Sequence, residues 1–290
     1  MHPFVIVADD FTGANDTGVQ LCRSGIPVDV VLDVNQIKDD ETSLSIDCES
    51  RVVSAEEAYH RVYEAIACVN LRGGCRFLYK KVDSTLRGHL QEEIRAAVDV
   101  YKPELIIFAP AYPAQGRTVE QGRLCVHGTP LLDTEIARDP RNPLQEDRIQ
   151  KILTECLNQP VHHYALSEVS MESFDWTGTA YSFDTKEQVQ LETIAMAAMK
   201  TGKKILWIGS AGLAQGILTV SYRRKPTLTV IGSISSKTMK QLQYCRENGV
   251  SVVALDMKTI YETHQVDRAV RDVVTYLKEG QDVVLRSEEH

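Results

Sequence analysis

The chain has 290 residues, of which 43% are hydrophobic and 25% are charged, values typical of a globular protein with a substantial core. Its formal net charge of −8 argues against a general nucleic-acid-binding protein, which normally carries an excess of basic residues. Its apolar runs are too short or too interrupted for a signal peptide or a membrane span. Seven scattered cysteines without a C-x-x-C pair favour reduced thiols. We therefore expect a cytoplasmic protein that binds neither nucleic acid nor membrane.

Short apolar runs alternate with longer amphipathic segments over most of the chain. The predicted strands are Phe4–Ala8, Val28–Leu32, Leu44–Asp47, Phe77–Lys81, Leu105–Ala109, Ala180–Phe183 and Ile205–Ile208. The predicted helices are Ala14–Ser24, Ala55–Asn70, Leu90–Tyr101, Gln145–Leu157, Lys186–Lys200 and Leu213–Tyr222. This alternation predicts an α/β fold with a mostly parallel, doubly wound sheet.

A basic, proline-containing stretch, Tyr222–Pro226, is typical of a linker. A fresh βα pattern follows it, with predicted strands at Leu228–Ile231, Ser251–Leu255 and Asp282–Leu285 and predicted helices from Lys237 and over Val266–Leu277. We therefore predict one domain over residues 1–222 and a second α/β domain over residues 223–290. The second segment is shorter than a usual domain and predicts only the start of one.

Two adjacent acids, Asp9 and Asp10, follow the first predicted strand and precede a Thr-Gly pair and a helix. Ligands of open α/β sheets bind outside the carboxyl ends of the strands, so these acids lie where chemistry is usually done. Neighbouring carboxylates repel each other and need cations, protons or donors nearby. A helix cap is the alternative interpretation, but one acid would suffice for it.

Two further strand ends carry charged residues, and we expect them to lie close to Asp10 at the same rim of the sheet. Arg51, in the segment Asp47–Arg51, can bind a carboxylate in bidentate fashion, or it forms a surface pair with Glu49. The segment Tyr79–Gly88 crowds basic and hydroxyl side chains before a helix. It predicts an anion site, and a capped helix with solvated charges is the alternative.

The remaining motifs give weaker signals. Residues 110–143 break the βα rhythm and predict either a functional loop or a pair of β-hairpins, in which Arg117 lines the site or braces the loop. Gly209–Leu213 can cradle a phosphate or serve helix–sheet packing. Gly232–Thr238 lacks the glycine that a P-loop places before its lysine, although Ser233 and Ser235 offer donors to a nucleotide. The eight histidines form no ligand cluster, so no metal site within the protein is expected.

Taken together, the motifs resemble those of the four-carbon acid sugar kinases over nearly all of residues 4–220. The resemblance depends on four segments, each at a predicted strand end: Ala8–Gly18, Lys80–Gly88, Pro110–Arg117 and Gly209–Leu213. It implies an N-terminal domain that binds an acid sugar, a C-terminal domain that binds ATP, and phosphorylation of the terminal hydroxyl. The segments 49–51 and 81–84 are similar to the threonate/erythronate branch more than to the 3-oxo-tetronate branch.

The resemblance also implies roles for individual residues. Asp10 or Asp9 takes the hydroxyl proton, Arg87 neutralises the transferring charge, and Mg²⁺ arrives with ATP. The implied substrate-binding residues are Asp10, Arg51, Lys81, Val82, Asp83, Ser84 and Arg117, with Arg51, Lys81 and Ser84 holding the carboxylate and nearby hydroxyls. The implied nucleotide-binding residues are Ser233, Gly209, Ser210 and Gly212.

Members of that family continue well past the length of this chain. We therefore expect substrate binding without competent turnover, unless a separately encoded C-terminal half supplies the missing part. A homo-oligomer is the alternative to such a partner. Two alternatives to a kinase stay open. One is an acid-sugar binding module. The other is a Mg²⁺-dependent phosphatase or phosphotransferase acting through an aspartyl phosphate, for which the spacing of the two acids is wrong.

Overall fold

The computed structural model describes residues 1–38, 40–172, 174–222, 226–263 and 266–288. The chain divides into two compact units, Met1–Arg223 and Arg224–His290. The strands of the first unit are β1 His2–Ala8, β2 Val28–Val31, β3 Ser43–Asp47, β4 Cys75–Lys81, β5 Leu105–Ala109, β6 Arg117–Glu120, β7 Arg123–Val126, β8 Thr129–Pro130, β9 His162–Tyr164, β10 Ala180–Phe183 and β11 Ile205–Gly209. Its helices are α1 Phe11–Arg23, α2 Ala55–Leu71, α3 Leu90–Tyr101, α4 Ile149–Leu157, α5 Leu166–Ser170, α6 Gln188–Met199 and α7 Ala211–Ser221.

Eight strands of the first unit form one parallel sheet in the order β2-β3-β1-β4-β11-β5-β10-β9. This confirms the predicted fold class. Helix α1 leads from β1 towards one edge of the sheet, whereas α2 leads from β3 back across β1 to β4. The strand order therefore reverses between β1 and β4, and such a switch point opens a crevice at the carboxyl ends of the strands.

Alternating side chains of each central strand build two separate cores. In β1, Val5 and Val7 pack in the core beneath α2, α3 and α4, whereas Phe4 and Ile6 pack in the core beneath α1, α6 and α7. All four side chains are fully buried. Strands covered on both faces need apolar residues at successive positions, which explains the near-continuous apolar runs.

The region that breaks the βα rhythm folds partly into a small antiparallel sheet, in which β6 pairs with β7 and β7 with β8. The hairpin interpretation of residues 110–143 is therefore confirmed for its first half, and short 3₁₀ turns follow. Helix α4 begins at Ile149 rather than at Gln145. The reason is that Asp147 is bound to the small sheet, where its carboxylate accepts hydrogen bonds from Arg123 Nε and Nη2 at 3.0 and 2.9 Å.

The second unit contains β12 Leu228–Ile231, α8 Ser236–Glu247, β13 Ser251–Asp256, α9 Met257–Thr263, α10 Asp267–Lys278 and β14 Val283–Glu288. Its three strands form a parallel sheet in the order β12-β14-β13. The sequence patterns did not predict β9, α5 or α9, all of which are short. No helix in the described part of the chain is long and apolar enough to cross a membrane.

Candidate active site

Asp9 and Asp10 lie at the carboxyl end of β1, beside the switch point. Asp9 is 1% exposed, and its carbonyl oxygen accepts the backbone N–H groups of Ser50 and Arg51 at 2.9 and 3.1 Å. The Asp10 side chain is 26% exposed, and its Oδ1 accepts the N–H of Gly13 at 2.7 Å, which caps α1. This cap makes α1 begin at Phe11 rather than at Ala14. Of the two acids, Asp10 is the one that a ligand can reach.

The side chain of Arg51 forms ion pairs with acids at the carboxyl ends of β1 and β4. Its Nε lies 2.6 Å from Asp9 Oδ2, its Nη1 lies 2.6 Å from Asp10 Oδ2, and its Nη2 lies 3.6 Å from Asp83 Oδ1. Arg51 thus contacts acids that follow β1 and β4, and the expectation that it lies close to Asp10 is met. The surface pair with Glu49 is wrong as an interpretation of this position, because the ion pairs of Arg51 are with the site acids.

Lys81 closes β4 and lies inside the cluster. It is 5% exposed, and its Nζ donates to the carbonyl of Val82 at 2.9 Å. A Cβ placed on Gly13 would lie 2.9 Å from this Nζ and 2.7 Å from Asp10 Oδ1, so both head groups lie against the first turn of α1. Gly13 leaves the space that they occupy.

Lys81 differs from the two arginines of the site because, within the described residues, it forms no ion pair. Burial lowers the pKa of its ammonium, and the nearby charge of Asp9 opposes that effect only in part. A buried ammonium without a bound carboxylate is suited to receiving an anionic ligand.

Asp83 organises the loop between β4 and α3. Its carboxylate accepts the backbone N–H and the hydroxyl of Thr85 and is bound by Arg87, whose Nε lies 2.8 Å from Oδ2. Burial alone would raise the pKa of Asp83, but the donors from Arg87 and Thr85 and the charge of Arg51 hold it well below its usual value. Arg87 also reaches Asp139 at 3.5 Å, which ties the site loop to the segment after the small sheet.

The capped-helix interpretation of this loop is wrong. The N-cap of α3 is His89, which makes no side-chain capping hydrogen bond, so neither Asp83, Ser84 nor Thr85 caps the helix. Ser84 is half-buried in the loop. Val82 is buried in the core, and its N–H donates to the carbonyl of Gly209 at 2.9 Å. Val82 can therefore meet a ligand only through its backbone.

The glycine-rich turn after β11 serves packing, as its alternative interpretation predicted. A Cβ on Gly209 would lie 2.6 Å from the carbonyl oxygen of Ala109, and one on Gly212 would collide with the carbonyl oxygen of Ala111. Ser210 is 1% exposed, and its hydroxyl donates to the same Ala111 oxygen at 3.0 Å. The nucleotide-binding role of these residues stays a prediction.

Arg117 lies at the start of β6, where its backbone N–H donates to the carbonyl of Tyr112 at 3.1 Å and its guanidinium donates to the carbonyl of Gln115. These contacts match the role of a loop brace. Among the described contacts, none joins Arg117 to the cluster around Asp10.

In the second unit, Ser233 is exposed after β12, and its hydroxyl accepts the N–H of Ser235 at 3.2 Å. Its role as a nucleotide contact also stays a prediction.

Comparisons with known proteins show which proteins this chain is similar to. Residues 4–217 match the model of a family described as a sugar-binding N-terminal domain. The chain is 33% identical to a D-threonate kinase of Salmonella typhimurium, over 98% of this chain and 71% of the relative. The chain belongs to the four-carbon acid sugar kinase family.

A second curated relative and a solved structure also match the chain. A D-erythronate kinase of Heliobacterium modesticaldum is 31% identical over the whole chain and 72% of its own length. The crystal structure of a domain of unknown function from Bordetella bronchiseptica, a domain-swapped dimer with bound citrate, matches with a TM-score of 0.67 and 26% identity, covering all of this chain and 74% of that one.

In the part of the chain that the structure describes, the candidate site has no set of side chains arranged to coordinate a metal ion. No group of three or more His, Cys, Asp or Glu side chains is arranged to hold one there. The exposed acid, Asp10, already shares its oxygens between Gly13 and Arg51. These residues do not fit a resident metal, so no step below depends on one.

Several residues that shape the site escaped prediction. Gly13 and Gly88 lie within the motifs identified from the sequence, but no role was predicted for them. Gly88 has φ +102°, in the left-handed region that favours glycine, and a Cβ added to it would lie 3.4 Å from Asp9 Oδ2. Ser50, Lys80 and Glu93 form a buried network below the cluster. Glu93 carried a usable signal, because it lies on the buried face of α3, where the helical pattern otherwise places apolar residues.

Proposed function

We propose that this chain binds a four-carbon acid sugar of the D-threonate or D-erythronate type at the carboxyl ends of β1, β3 and β4. We propose further that it transfers the γ-phosphate of ATP to the terminal hydroxyl of that sugar and releases ADP. The names of the matched relatives support the substrate class. The observation that carries the proposal is the convergence of Asp10, Arg51 and Lys81 at the switch point of the sheet.

Asp10 is the residue that we assign to the reacting hydroxyl. Its side chain is accessible, and it is held by the N–H of Gly13 on one oxygen and by Arg51 on the other. A carboxylate fixed in this way can accept the hydroxyl proton as the oxygen attacks phosphorus. Asp9 is enclosed and paired with Arg51 Nε, so it orients the guanidinium instead.

Lys81 is the residue that we assign to the carboxylate of the sugar. The three carboxylates of the cluster already engage the two arginines, which leaves this ammonium without an ion-pair partner among the described residues. Ser84 and the backbone of Val82 and Asp83 border the same loop and can bind sugar hydroxyls. Arg87, 33% exposed, is placed to neutralise charge on the transferred phosphoryl group.

We assign acid-sugar binding to residues 1–222 and nucleotide binding to residues 223–290, with Ser233 as a nucleotide contact. Mg²⁺ would enter with ATP, where it neutralises the phosphate oxygens. A cytoplasmic location follows from the need for ATP. The citrate in the Bordetella bronchiseptica structure supports an anion site in this fold, and its domain-swapped dimer supports a homo-oligomer, which sedimentation of the full chain tests.

Two measurements on the full chain test the proposal separately. Calorimetry measures binding of D-threonate, D-erythronate and their L-forms, with the six-carbon D-gluconate as a control aldonate. An assay of ADP formation with ATP and Mg²⁺ then measures transfer to each of them. The proposal predicts binding of at least one four-carbon aldonate and ADP formation that depends on it. Binding without ADP formation would instead match the expectation of substrate binding without turnover, or an acid-sugar binding module, and the absence of binding would contradict the site.

A further inference from the structure

A buried polar network lies directly beneath the proposed sugar site. Ser50 Oγ donates to Glu93 Oε1 at 2.6 Å, and Lys80 Nζ lies 2.9 Å from Glu93 Oε2. The same Nζ donates to the carbonyl oxygens of Lys81 at 2.9 Å and Val7 at 3.3 Å. Ser50, Lys80 and Glu93 are at most 1% exposed. The network therefore joins β1, the loop after β3, the end of β4 and helix α3.

Each member of the network is adjacent to a part of the site. Ser50 immediately precedes Arg51, and Lys80 immediately precedes Lys81. Glu93 lies in the first turn of α3, at the end of the site loop that contains Asp83. A displacement of Glu93 would therefore shift the neighbours of both cations at once.

Burying the Lys80–Glu93 ion pair at this position has a large cost in desolvation free energy. Removing two charges from water costs as much as their attraction returns, and apolar residues of similar volume often give equal or greater stability. Burial alone would lower the pKa of Lys80, but the carboxylates of Glu93 and Asp9 outweigh it and raise the pKa, so the side chain stays an ammonium. The charges contribute directed hydrogen bonds that apolar packing cannot supply.

We propose that Ser50, Glu93 and Lys80 are positioning residues that hold Arg51 and Lys81 in the geometry that binds the acid sugar. This inference rests on the proposed function of the site. The three side chains are buried and do not touch the substrate. Their effect on catalysis is transmitted through the backbone of the two neighbouring cations.

Ser50→Ala gives the simplest test, because it removes one hydroxyl and leaves the Lys80–Glu93 pair intact. The acid-sugar KM of the full chain should rise roughly tenfold or more, since small misplacements of binding groups have effects of this size. The KM for ATP should stay unchanged, and calorimetry should show the same loss of sugar affinity. An unchanged sugar KM and affinity in the folded variant would overturn the inference.

The double variant Lys80→Met/Glu93→Leu separates positioning from stability. It replaces the ion pair with apolar side chains of similar length, but it leaves the Ser50 hydroxyl and the carbonyl oxygens of Val7 and Lys81 without these partners, so the melting temperature should fall. In the folded variant a positioning role predicts a raised sugar KM, whereas a purely structural role predicts wild-type kinetics at a lower melting temperature. If the double variant fails to fold, Ser50→Ala still decides the question.

Asp147→Asn is the matched control for a buried ion pair of the same unit. Asp147 is 1% exposed and pairs with Arg123 at 2.9 Å, within the small antiparallel sheet. Its substitution should lower the melting temperature without changing the sugar KM. A wild-type chain that binds no four-carbon aldonate would refute the proposed function itself. Wild-type binding that Ser50→Ala leaves unchanged would refute only the positioning network.

Discussion

Two groups of strand ends along the carboxyl edge of the same sheet carry motifs, yet their side chains do different things. At the carboxyl ends of β1, β3 and β4, charged groups converge, and a glycine, Gly13, leaves room for the heads of Asp10 and Lys81. At the ends of β11 and β5, an added Cβ on Gly209 or Gly212 would meet backbone carbonyl oxygens instead. Both motifs therefore lie at strand ends. The atoms beside the glycine distinguish a site from a packing contact: they are charged side-chain groups at Gly13 and backbone carbonyl oxygens at Gly209 and Gly212.

The largest effect is expected from Asp10→Asn. Asparagine is as good an N-cap as aspartate, so α1 and the melting temperature should be preserved while the proton acceptor is lost. We expect kcat to fall by about 10²- to 10⁴-fold, the usual contribution of a general base. Steady-state kinetics of ADP formation measure this.

Asp99→Asn is the control, because Asp99 lies near the other end of α3 and accepts a hydrogen bond from the Tyr59 hydroxyl at the surface. It should leave kcat unchanged. If Asp10→Asn kept the wild-type kcat, the assignment of the proton acceptor would be wrong.

Lys81→Met should act mainly on sugar binding. Its ammonium is replaced by an apolar side chain of similar length, and a charge-assisted hydrogen bond contributes about 1.5–3 kcal/mol. The dissociation constant of the aldonate should therefore rise by about 10- to 100-fold, as measured by calorimetry. Lys151→Met, at an exposed lysine paired with Glu146, should have no effect on binding. Equal affinities for the two variants would remove Lys81 from the site.

Glycine substitutions sharpen the contrast between the two groups of strand ends. In Gly13→Ala the new methyl would lie nearest to side-chain atoms of Asp10 and Lys81, so the protein should fold while these two side chains are displaced and sugar affinity falls several-fold. In Gly212→Ala the methyl meets a backbone carbonyl, and we expect a loss of about 1–3 kcal/mol in the free energy of unfolding.

Gly18→Ala is the control for the first substitution, because it lies in the same helix and its added Cβ would be in ordinary contact with Ser45, 3.4 Å away. It should preserve sugar binding. Thermal melts and calorimetry of the three variants compare the two groups of strand ends directly, and a destabilised Gly13→Ala with normal affinity would contradict the difference drawn between them.

The smallest predicted effect is a shift in pH dependence. Burial lowers the pKa of Lys81 from its ordinary 10.5, so the ammonium is lost as pH rises through that lowered value. Sugar affinity should therefore weaken as pH rises, beginning at a pH below 10.5. Lys81→Arg should move this loss of affinity to higher pH.

Stability should move in the opposite direction. Between the lowered pKa of Lys81 and 10.5 the unfolded chain binds more protons than the folded chain, so the contribution of this residue to the free energy of unfolding rises with pH. In the affinity measurements, an identical pH profile for wild type and Lys81→Arg would show that another titrating group causes the loss of sugar affinity at high pH.

The sequence was informative wherever a pattern is local. The runs of apolar residues predicted every strand of the main sheet except β9. Their polar ends predicted that Asp10, Arg51 and Lys81 meet, because carboxyl ends of parallel strands share one edge. Asp10 also shows why a helix cap and a site residue are not exclusive: one oxygen caps α1 and the other binds Arg51.

What the sequence could not predict depends on contacts between distant segments. The pairing of Ser50 with Glu93 joins residues 43 positions apart, and no local pattern specifies it. Asp147 shortens α4 for the same reason, since its partner Arg123 lies in the small sheet. The packing role of Gly212 depends on the carbonyl of Ala111, which only the folded sheet brings close.

A crystal structure of the full chain with bound D-threonate or D-erythronate tests the central claim most directly. We predict that the sugar carboxylate lies within hydrogen-bond distance of Lys81 Nζ and that a terminal hydroxyl lies beside Asp10. An aldonate whose carboxylate lies out of reach of Lys81 Nζ and whose hydroxyls lie away from Asp10 would contradict the account.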